Sequence, residues 1–429
     1  MEQWMKISLL LSVFGFLREI RPSEPFITDF LTDFKNFELN AVLRNIYPIG
    51  TYSLMVNTII AFFITDYLRY KPLIFVSGLS GVIVWALLLW TEALSSMIVA
   101  QLFYGTYIAT EVAYYTYIYA KVDRDHYDRV TAHTRSSMFW GRFLASVVAQ
   151  TLLYVKLMDY ESLNYITFGS QVACTLWVFL LPKVESSIYF HRKKEDDFKE
   201  LESIMPLNNA APRPQEKPLT AFQLLWSQFK TSYSNVEVLQ WSIWYTIGTC
   251  GFYQVTSYCQ VLWSSIEKPP EMVWNGAVEA LVTLLSALVT TFAEKIHGTV
   301  LFKSSSLVTL TILTTFSGFA ILLGTKTTSL YISYAGYIIF CTLFAFTITI
   351  SSAEVAKRLA PDSFGLIFGF NTAMGLTLQS LLTFVVVSKT FMDLDVKTQF
   401  TIYAGFFFFF AFLYFLNIVI NFIVSKRKE

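Results

Sequence analysis

A glutamate stands among tyrosines in one long apolar stretch of the chain. Steps of three and four residues place Tyr104, Tyr107, Glu111, Tyr114 and Tyr115 on about one face of a helix. An ionisable residue at membrane depth is costly, so it marks a candidate functional site. Carboxylates pair with cations, and tyrosine rings attract cations through their faces. This face therefore predicts a site for a cationic or aromatic ligand. The alternative is a structural Glu111 that pairs with a neighbouring helix.

A second carboxylate, Glu24, lies between two prolines in the segment Arg21-Pro22-Ser23-Glu24-Pro25-Phe26. Proline removes a backbone donor and clashes with the preceding turn, so the first helix should be interrupted here. Freed backbone groups inside a membrane are tolerated only beside protein or a water-filled cavity. We therefore expect Glu24 to face a cavity, with an exposed helix end as the alternative. Arg18 and Arg21 are expected to pair with the acids close to them in sequence, Glu19 and Glu24.

Arg142 has no acid close to it in sequence and lies about one turn into a predicted fifth span. Its side chain could extend to the membrane surface, pair with Glu111 or bind an anionic group of a substrate. Glu279, early in the predicted eighth span, could belong to the site or to an exposed helix start. The four histidines all lie outside the predicted spans, so proton coupling would have to use carboxylates.

The composition indicates that membrane helices position these residues. Of 429 residues, 54% are hydrophobic and 15% are charged, whereas soluble domains carry about 25% charged residues. The mean hydropathy is +0.49, and the apolar residues fall into blocks of about 20, the length that crosses a bilayer. The chain is therefore predicted to be an all-α membrane protein with about twelve transmembrane helices. The predicted spans are 5–28, 47–67, 72–91, 95–121, 137–157, 162–181, 236–263, 274–293, 299–322, 328–350, 363–387 and 399–424.

A polar segment that contains Pro212, Pro214 and Pro218 divides these spans into two sets of six. We expect an N-terminal six-helix half at 1–182, a cytoplasmic linker at 183–235 and a C-terminal six-helix half at 236–429. Two halves around a central substrate site are the layout of many transporters. Lys and Arg are more frequent in loops on the side of the termini, which predicts that both termini are cytoplasmic. The residues on that side are Arg69, Lys71, Lys121, Arg124, Arg129, Arg135, Lys295, Lys303, Lys357, Arg358, Lys426, Arg427 and Lys428.

Several classes of function are disfavoured by the residues present. The net charge of +1 gives no basic footprint for nucleic acid. The four cysteines lie in apolar blocks without metal-binding spacing, and no nucleophile with its base is evident at membrane depth. We therefore expect neither an enzyme nor a cofactor or metal. The expected partners are a small molecule and the lipid bilayer. A receptor or scaffold on the same fold stays open, because sensing and transport cavities need the same residues.

Six strings of residues carry a resemblance that covers essentially all the spans and fails only in the linker. They are Arg21-Pro22-Ser23-Glu24-Pro25-Phe26, Tyr47-Pro48 with Thr51-Tyr52-Ser53, Thr65-Asp66-Tyr67-Leu68-Arg69-Tyr70-Lys71-Pro72, Glu111-Val112-Ala113-Tyr114-Tyr115 with Tyr117-Ile118-Tyr119, Asn275-Gly276-Ala277-Val278-Glu279-Ala280, and Phe368-Gly369-Phe370-Asn371-Thr372. In these strings the sequence resembles the family of solute carriers that includes the reduced folate carrier and the thiamine transporters. The resemblance implies a major facilitator fold and uptake of a B-class vitamin across the plasma membrane by alternating access.

Charge bears on which vitamin is carried. Folate has a glutamate tail with two carboxylates, whereas thiamine is a thiazolium cation. The folate carriers of the family have an arginine at the position of Glu111 and basic residues near Cys341 and Gln379, all of which this chain lacks. The resemblance therefore favours thiamine.

The resemblance also supplies candidate ligands. It carries over Glu24, Glu111, Tyr114 and Asn275, and the complete predicted substrate-binding set adds the residues Tyr47, Tyr107 and Arg142. Two positions differ from the thiamine transporters, because Gly50 replaces a tryptophan and Arg142 replaces an aromatic residue. Reduced folate is therefore kept as the alternative substrate.

Overall fold

The computed structural model describes residues 2–122, 124–184, 221–266, 273–297, 306–359, 363–388 and 391–426. Within these ranges the chain forms long helices and no β-strand. The helices are α1 (Gln3–Glu19), α2 (Tyr47–Tyr67), α3 (Lys71–Trp90), α4 (Leu94–Ala109), α5 (Glu111–Lys121), α6 (Tyr127–Tyr154), α7 (Tyr160–Trp177), α8 (Ala221–Tyr233), α9 (Val236–Ser264), α10 (Asn275–His297), α11 (Ser306–Thr325), α12 (Leu330–Ala356), α13 (Phe364–Val386) and α14 (Val396–Lys426).

Eight helices of the described chain are long and apolar enough to cross a membrane. The other long helices, which are shorter or more polar, are α1, the pair α4 and α5, α6 and α9. Of these helices, α1, α5 and α6 carry Arg18, Glu19, Glu111 and Arg142, whereas Asn275 and Glu279 lie on α10, one of the apolar helices. Polar residues at membrane depth need shielding from lipid, so we expect these side chains to face other helices.

The first span is broken where its two prolines predict a break. Helix α1 ends at Glu19, and the chain resumes as short helical turns at Glu24–Phe26, Ile27–Asp29 and Phe30–Phe34. We call this second part, Glu24–Phe34, the α1 extension. The break leaves backbone carbonyls available to side chains of other helices, and it brings the Glu24 carboxylate to Tyr104 of α4.

The continuous fourth span predicted over 95–121 is wrong in one respect, because the helix is interrupted at Thr110 between α4 and α5. The carbonyl of Tyr107 would accept the helical hydrogen bond from the Glu111 amide. It instead accepts bonds from Arg18 Nη2 and Ser77 Oγ, both at 3.1 Å. The side chains of Arg18 and Ser77 thus occupy the carbonyl oxygen that would otherwise accept the next hydrogen bond of the helix. Glu111 consequently begins a new helix, where the partial positive charge of the N-terminus favours a carboxylate.

The hydrophobic core shows how the two halves meet. We call the side of the membrane that holds the chain termini the terminal side, and the other the far side. Towards the far side one buried cluster joins both halves, with Trp85 and Tyr47 packed in the same cluster as Tyr258 and Phe407. Towards the terminal side each half has a cluster of its own. The halves therefore share one core at the far side, whereas at the terminal side each has its own core and Phe62 of α2 packs against Gly369 of α13.

The linker expected at 183–235 lies mostly outside the described residues, since 185–220 are not described. Its last part forms α8, which rests on the second half of the chain. The rings of Phe229 and Tyr233 pack on Phe370 of α13, and Tyr233 Oη donates a hydrogen bond to Asn371 Oδ1 at 2.6 Å. These contacts hold α8 against α13, directly before the start of α9.

Candidate substrate site

Six charged side chains from three polar spans meet near the middle of the first half. They are Arg18, Glu19, Arg21, Glu24, Glu111 and Arg142, and we call them the charged network. Arg18 Nη1 lies 2.9 Å from Glu111 Oε2 and 3.3 Å from Glu19 Oε1. Its guanidinium also lies over the ring of Tyr107, 4.4 Å from the centroid. The Arg18 side chain is 1% exposed, so its guanidinium is surrounded by protein groups.

Glu19 is the centre of the network, because all three arginines reach it. Arg21 Nη2 lies 2.8 Å from Glu19 Oε2, and Arg142 places Nε and Nη2 at 2.9 and 2.8 Å from the same oxygen. Helix α6 can approach α1 this closely because residue 141 is glycine. A Cβ at Gly141 would lie 2.7 Å from the carbonyl oxygen of Phe16 and 3.2 Å from Glu19 Cβ. The small residue thus lets Arg142 reach its partner.

Glu24 joins the network from the α1 extension. Its Oε1 accepts hydrogen bonds from Arg21 Nη1 at 2.8 Å and from Tyr104 Oη at 2.6 Å. The expected local pairing of Arg18 and Arg21 with Glu19 and Glu24 is confirmed. Tyr104, which belongs to the tyrosine face of α4, therefore meets a carboxylate on another helix. It fixes one oxygen of Glu24 and leaves the rest of the group open.

Solvent exposure separates the network into a hidden part and a presented part. The side chains of Arg18, Glu19 and Arg21 are at most 4% exposed. By contrast, the side chain of Glu111 is 26% exposed, that of Glu24 is 33% exposed and that of Arg142 is 50% exposed. Two carboxylates and one guanidinium are therefore presented on a surface that buried charges hold in place. Glu111 is both paired with another helix and open to a ligand.

Two of the three interpretations of Arg142 are wrong. Its side chain does not extend to the membrane surface, because it turns to Glu19 on α1. Its partner is also not Glu111, because Arg18 occupies that carboxylate. The binding of an anionic group to the exposed half of Arg142 stays a prediction.

The second half contributes uncharged groups and one carboxylate opposite the network. Tyr253 of α9 lies close enough to Glu111 and Arg142 to interact with them electrostatically. Glu279 of α10 lies within electrostatic range of Arg142, Glu24 and Arg21. Within the described part of the chain Glu279 forms no ion pair, and its Oε1 accepts a hydrogen bond from Tyr337 Oη at 2.9 Å. Glu279 is therefore not an exposed helix start, and its part in the site stays a prediction.

The other predicted site residues are buried, and the structure gives each a protein partner. Tyr107 Oη donates to the carbonyl of Arg18 at 3.0 Å, and Tyr114 Oη donates to the carbonyl of Leu11 at 2.9 Å. Tyr47 Oη shares a 2.6 Å hydrogen bond with Thr28 Oγ1. In the present arrangement these three tyrosines position the first span. Their direct contact with a substrate remains a prediction.

Asn275 is held at the junction of the two halves. Its Nδ2 donates to Asp29 Oδ2 at 3.0 Å, while its Oδ1 accepts from Tyr334 Oη at 2.7 Å. Asn275 is 2% exposed and lies with Asp29 towards the far side, so the structure places it apart from the charged network. Ligand contact by Asn275 is therefore also a prediction, and it would need the far side to move.

Sequence reasoning missed the roles of Glu19 and Asp29. The sequence predicts only local partners for Glu19, whereas the structure pairs it with an arginine 123 positions away. Asp29 lies beyond the predicted end of the first span. The signal for Glu19 was the third arginine, Arg142, which had no acid nearby in sequence. No group of three or more His, Cys, Asp or Glu side chains that could hold a metal ion occurs among the described residues.

Comparison with known protein structures identifies the fold. The POT family transporter PepTSo superimposes with a TM-score of 0.68 over 97% of this chain and 98% of its own, at 13% sequence identity. The nucleoside transporter NupG gives a TM-score of 0.64 over 96% of this chain and 98% of its own, at 14% identity. At such low identity these similarities establish only the fold. This is the two-halved, twelve-helix fold of the major facilitator transporters.

Comparison with known sequences is more specific. The family described as "Reduced folate carrier" matches residues 2–402. Folate transporter 1 of Caenorhabditis elegans is 34% identical, with 94% of this chain and 90% of that protein aligned. Human Thiamine transporter 1 is 33% identical over 100% of this chain and 92% of its own, and human Thiamine transporter 2 is 32% identical over 94% and 88%. The chain therefore belongs to the reduced folate carrier family of membrane transporters.

Proposed function

We propose that this protein takes up a B-class vitamin across the plasma membrane and that its preferred substrate is thiamine. Its relatives are named as transporters of thiamine and of folate, so the choice depends on this chain's own site. The observation that carries the proposal is the presented surface of the charged network. That surface holds two part-exposed carboxylates, Glu24 and Glu111, against the single guanidinium of Arg142.

Counting the formal charges supports a cationic substrate. The three arginines of the network balance its three glutamates, so the network itself is neutral. In its ionised form Glu279 adds one negative charge, and it forms no ion pair within the described residues. A thiazolium cation would bring the site to neutrality. A folate dianion would leave three excess negative charges in a largely enclosed site, at a cost of several kcal/mol for each uncompensated charge.

Alternating access fits the way in which the two halves meet. They share one core towards the far side and have separate cores towards the terminal side. We infer that the presented groups of the network are reached from the terminal side in this arrangement. Transport would require the converse arrangement, in which the far-side contacts part and those at the terminal side form.

Reduced folate is the second candidate, and Arg142 is the observation that favours it. Half of its side chain is exposed, so it could bind a substrate carboxylate while it keeps a bond to Glu19. In that case Glu24 and Glu111 would hold the arginines in position and would not bind the substrate. The family includes relatives named for folate, which gives this alternative a precedent.

Uptake of labelled vitamins by cells that express the chain tests the proposal. We expect saturable uptake of labelled thiamine that excess unlabelled thiamine suppresses and excess reduced folate does not. Uptake of folate with thiamine ignored would overturn the substrate assignment and leave the family intact. Saturable binding at the cell surface without accumulation would instead indicate a receptor on the same fold.

We further propose that both termini and the linker at 183–235 are cytoplasmic and that the protein acts as a carrier and not as an enzyme. The excess of Lys and Arg in the loops on the terminal side supports the orientation. A cysteine placed at Lys35 should react with an impermeant thiol reagent in intact cells, whereas one at Gln215 should react only after permeabilisation. The reverse pattern would contradict the orientation.

A further inference from the structure

A glutamine of the second half inserts its amide into the backbone of the first span. Gln260 of α9 accepts a hydrogen bond from the Thr28 amide at its Oε1, at 3.0 Å. Its Nε2 donates to the carbonyl oxygen of Glu24 at 2.9 Å. These backbone groups are four residues apart, so an unbroken α-helix would join them directly. The Gln260 side chain thus replaces one helical bond of the α1 extension with a bridge through the other half.

A glutamine of the first half does the same in the opposite direction. Gln150 of α6 accepts a hydrogen bond from the Ala277 amide at 3.1 Å, and its Nε2 donates to the carbonyl oxygen of Val273 at 3.2 Å. Val273 and Ala277 are again four residues apart, at the start of α10. The amides of Asn and Gln provide a donor and an acceptor in one planar group, which is what such a pair of backbone groups requires.

The close approach of helices around Gln150 depends on Gly276. A Cβ at this position would lie 2.9 Å from the carbonyl oxygen of Ser146 and 3.1 Å from Gln150 Oε1. A side chain at Gly276 would therefore push α10 away from α6. Both glutamine bridges lie on the far side, where the two halves share one hydrophobic core.

We propose that Gln260 and Gln150 form a reciprocal pair of clamps that holds the far side closed, and that Gln260 is also a positioning residue for Glu24. Each bridge joins the two halves through two hydrogen bonds, so opening of the far side must break all four together. Because each amide matches a backbone pair only at one register, the clamps fix how the halves meet. The clamp function does not depend on which vitamin is carried.

Gln260 has a second effect that Gln150 does not share. It holds the backbone carbonyl of Glu24, whose carboxylate is presented to the site through Arg21 and Tyr104. Opening of the far side therefore also releases the main chain of a presented carboxylate. This part of the inference rests on the proposed function, because it assigns Glu24 a contact with substrate. The site and the far-side closure are coupled through one side chain.

A cysteine buried behind the clamps can report far-side opening without any substrate. Ser146 is 3% exposed and lies against Gly276, and the four native cysteines are buried. We would place Ser146→Cys in the chain and measure its rate of reaction with a thiol reagent in lipid nanodiscs. Gln260→Leu and Gln150→Leu should each raise this rate about tenfold, since two hydrogen bonds are lost in each case. The chain without the reporter cysteine gives the background.

Gln254→Leu is the matched control, because it makes the same change six residues away on the same helix. Among the residues that the structure describes, the amide of Gln254 bonds to Tyr403 and Thr383, both of the second half. Its substitution should leave the labelling of residue 146 unchanged. Unchanged labelling in folded Gln260→Leu and Gln150→Leu would overturn the clamps, and so would an equal rise in Gln254→Leu. If a leucine variant does not fold, Gln260→Glu and Gln150→Glu, which keep the size and lose the donor, decide the question in the same way.

The positioning role needs a transport measurement with a matched pair. Gln260→Glu and Gln150→Glu each lose the donor of one clamp, but only Gln260 touches Glu24. We expect the KM for thiamine to rise several-fold more in Gln260→Glu than in Gln150→Glu. If the two variants have equal KM values and both label faster at residue 146, the clamps are supported and the positioning role of Gln260 is contradicted. Absence of thiamine uptake in the unsubstituted chain would count against the proposed substrate, while the labelling result would still test the clamps.

Discussion

The two halves of the molecule bury different kinds of polar group at similar depth. In the first half, arginines and glutamates form the ion-paired charged network around Glu19. In the second half, most buried polar groups of the described residues are neutral, such as Gln254 with Tyr403, or Trp244 with Thr314. The exception is Glu354 near the end of α12, which pairs with Lys357 and Arg358. Charge recognition therefore belongs to the first half. The second half supplies hydrogen bonds, aromatic surface and the carboxylate of Glu279.

This difference predicts how each half responds to substitution. Removing one partner of a buried ion pair leaves an uncompensated charge and costs about 3–5 kcal/mol. A neutral hydrogen bond contributes only about 0.5–1.5 kcal/mol. The first half should therefore be sensitive to single changes of charge that the second half tolerates. The same kind of substitution made in each half tests whether the halves differ in this way.

The largest effect is expected from Glu19→Gln. All three arginines of the network lose their common carboxylate, and the network gains one uncompensated positive charge. The protein should lose about 3–5 kcal/mol of stability and fail to reach its normal surface level. Glu279→Gln is the matched change in the second half, where the amide oxygen can still accept from Tyr337. A melting temperature of Glu279→Gln that falls as far as that of Glu19→Gln would show that the halves do not differ.

A smaller effect is expected from Arg142→Lys. The guanidinium gives two hydrogen bonds to one oxygen of Glu19, and a lysine ammonium cannot reproduce that fork. Thiamine uptake should fall several-fold, with about 1 kcal/mol of stability lost. Arg44→Lys is the control, because Arg44 pairs with the more exposed Asp393 and should be nearly neutral. Unchanged uptake in Arg142→Lys would remove the main reason to keep folate as a candidate.

The smallest effects on stability are expected from substitution of the aspartates that cap one helix in each half. Asp159 caps α7 by accepting from the Ser162 amide, and Asp395 caps α14 by accepting from the Lys397 and Thr398 amides. Replacement of either by alanine should cost about 1 kcal/mol, equally in both halves. Unequal losses at these two caps would mean that the halves differ in more than their charges. Thermal unfolding of the two alanine variants measures this.

The same hydrogen bonds lower the pKa of each cap aspartate below its ordinary value. The stabilisation they give is therefore complete above that ordinary value and is lost as the pH falls through the lowered one. The difference in melting temperature between the original chain and each alanine variant should accordingly shrink at acid pH. A difference that grows on acidification would contradict the capping role.

The sequence was sufficient to predict the fold and much of the network. Blocks of about twenty apolar residues predicted the spans, and Pro22 with Pro25 predicted the break of the first helix. The local pairs of Arg18 and Arg21 followed from neighbouring charges. These features depend on local composition, which a sequence displays directly.

What escaped prediction depends on contacts between distant segments. The partner of Arg142 is Glu19, on a helix more than a hundred residues earlier, and the break at Thr110 arises because Arg18 and Ser77 occupy one carbonyl of α4. Neither follows from periodicity. The glutamine bridge of Gln260 was equally hidden, because a buried glutamine in a span looks the same whether it bonds within its half or across to the other.

The most direct test of the central claim, that presented carboxylates recognise a positive charge, compares thiamine with an isostere whose thiazolium is replaced by an uncharged ring. Each would compete for uptake of labelled thiamine. We expect the original chain to prefer the cation by at least about tenfold, or roughly 1.4 kcal/mol. The preference should collapse in Glu111→Gln and in Glu24→Gln at matched surface level. Equal inhibition by both compounds in the original chain, or a preference that survives both substitutions, would contradict the claim.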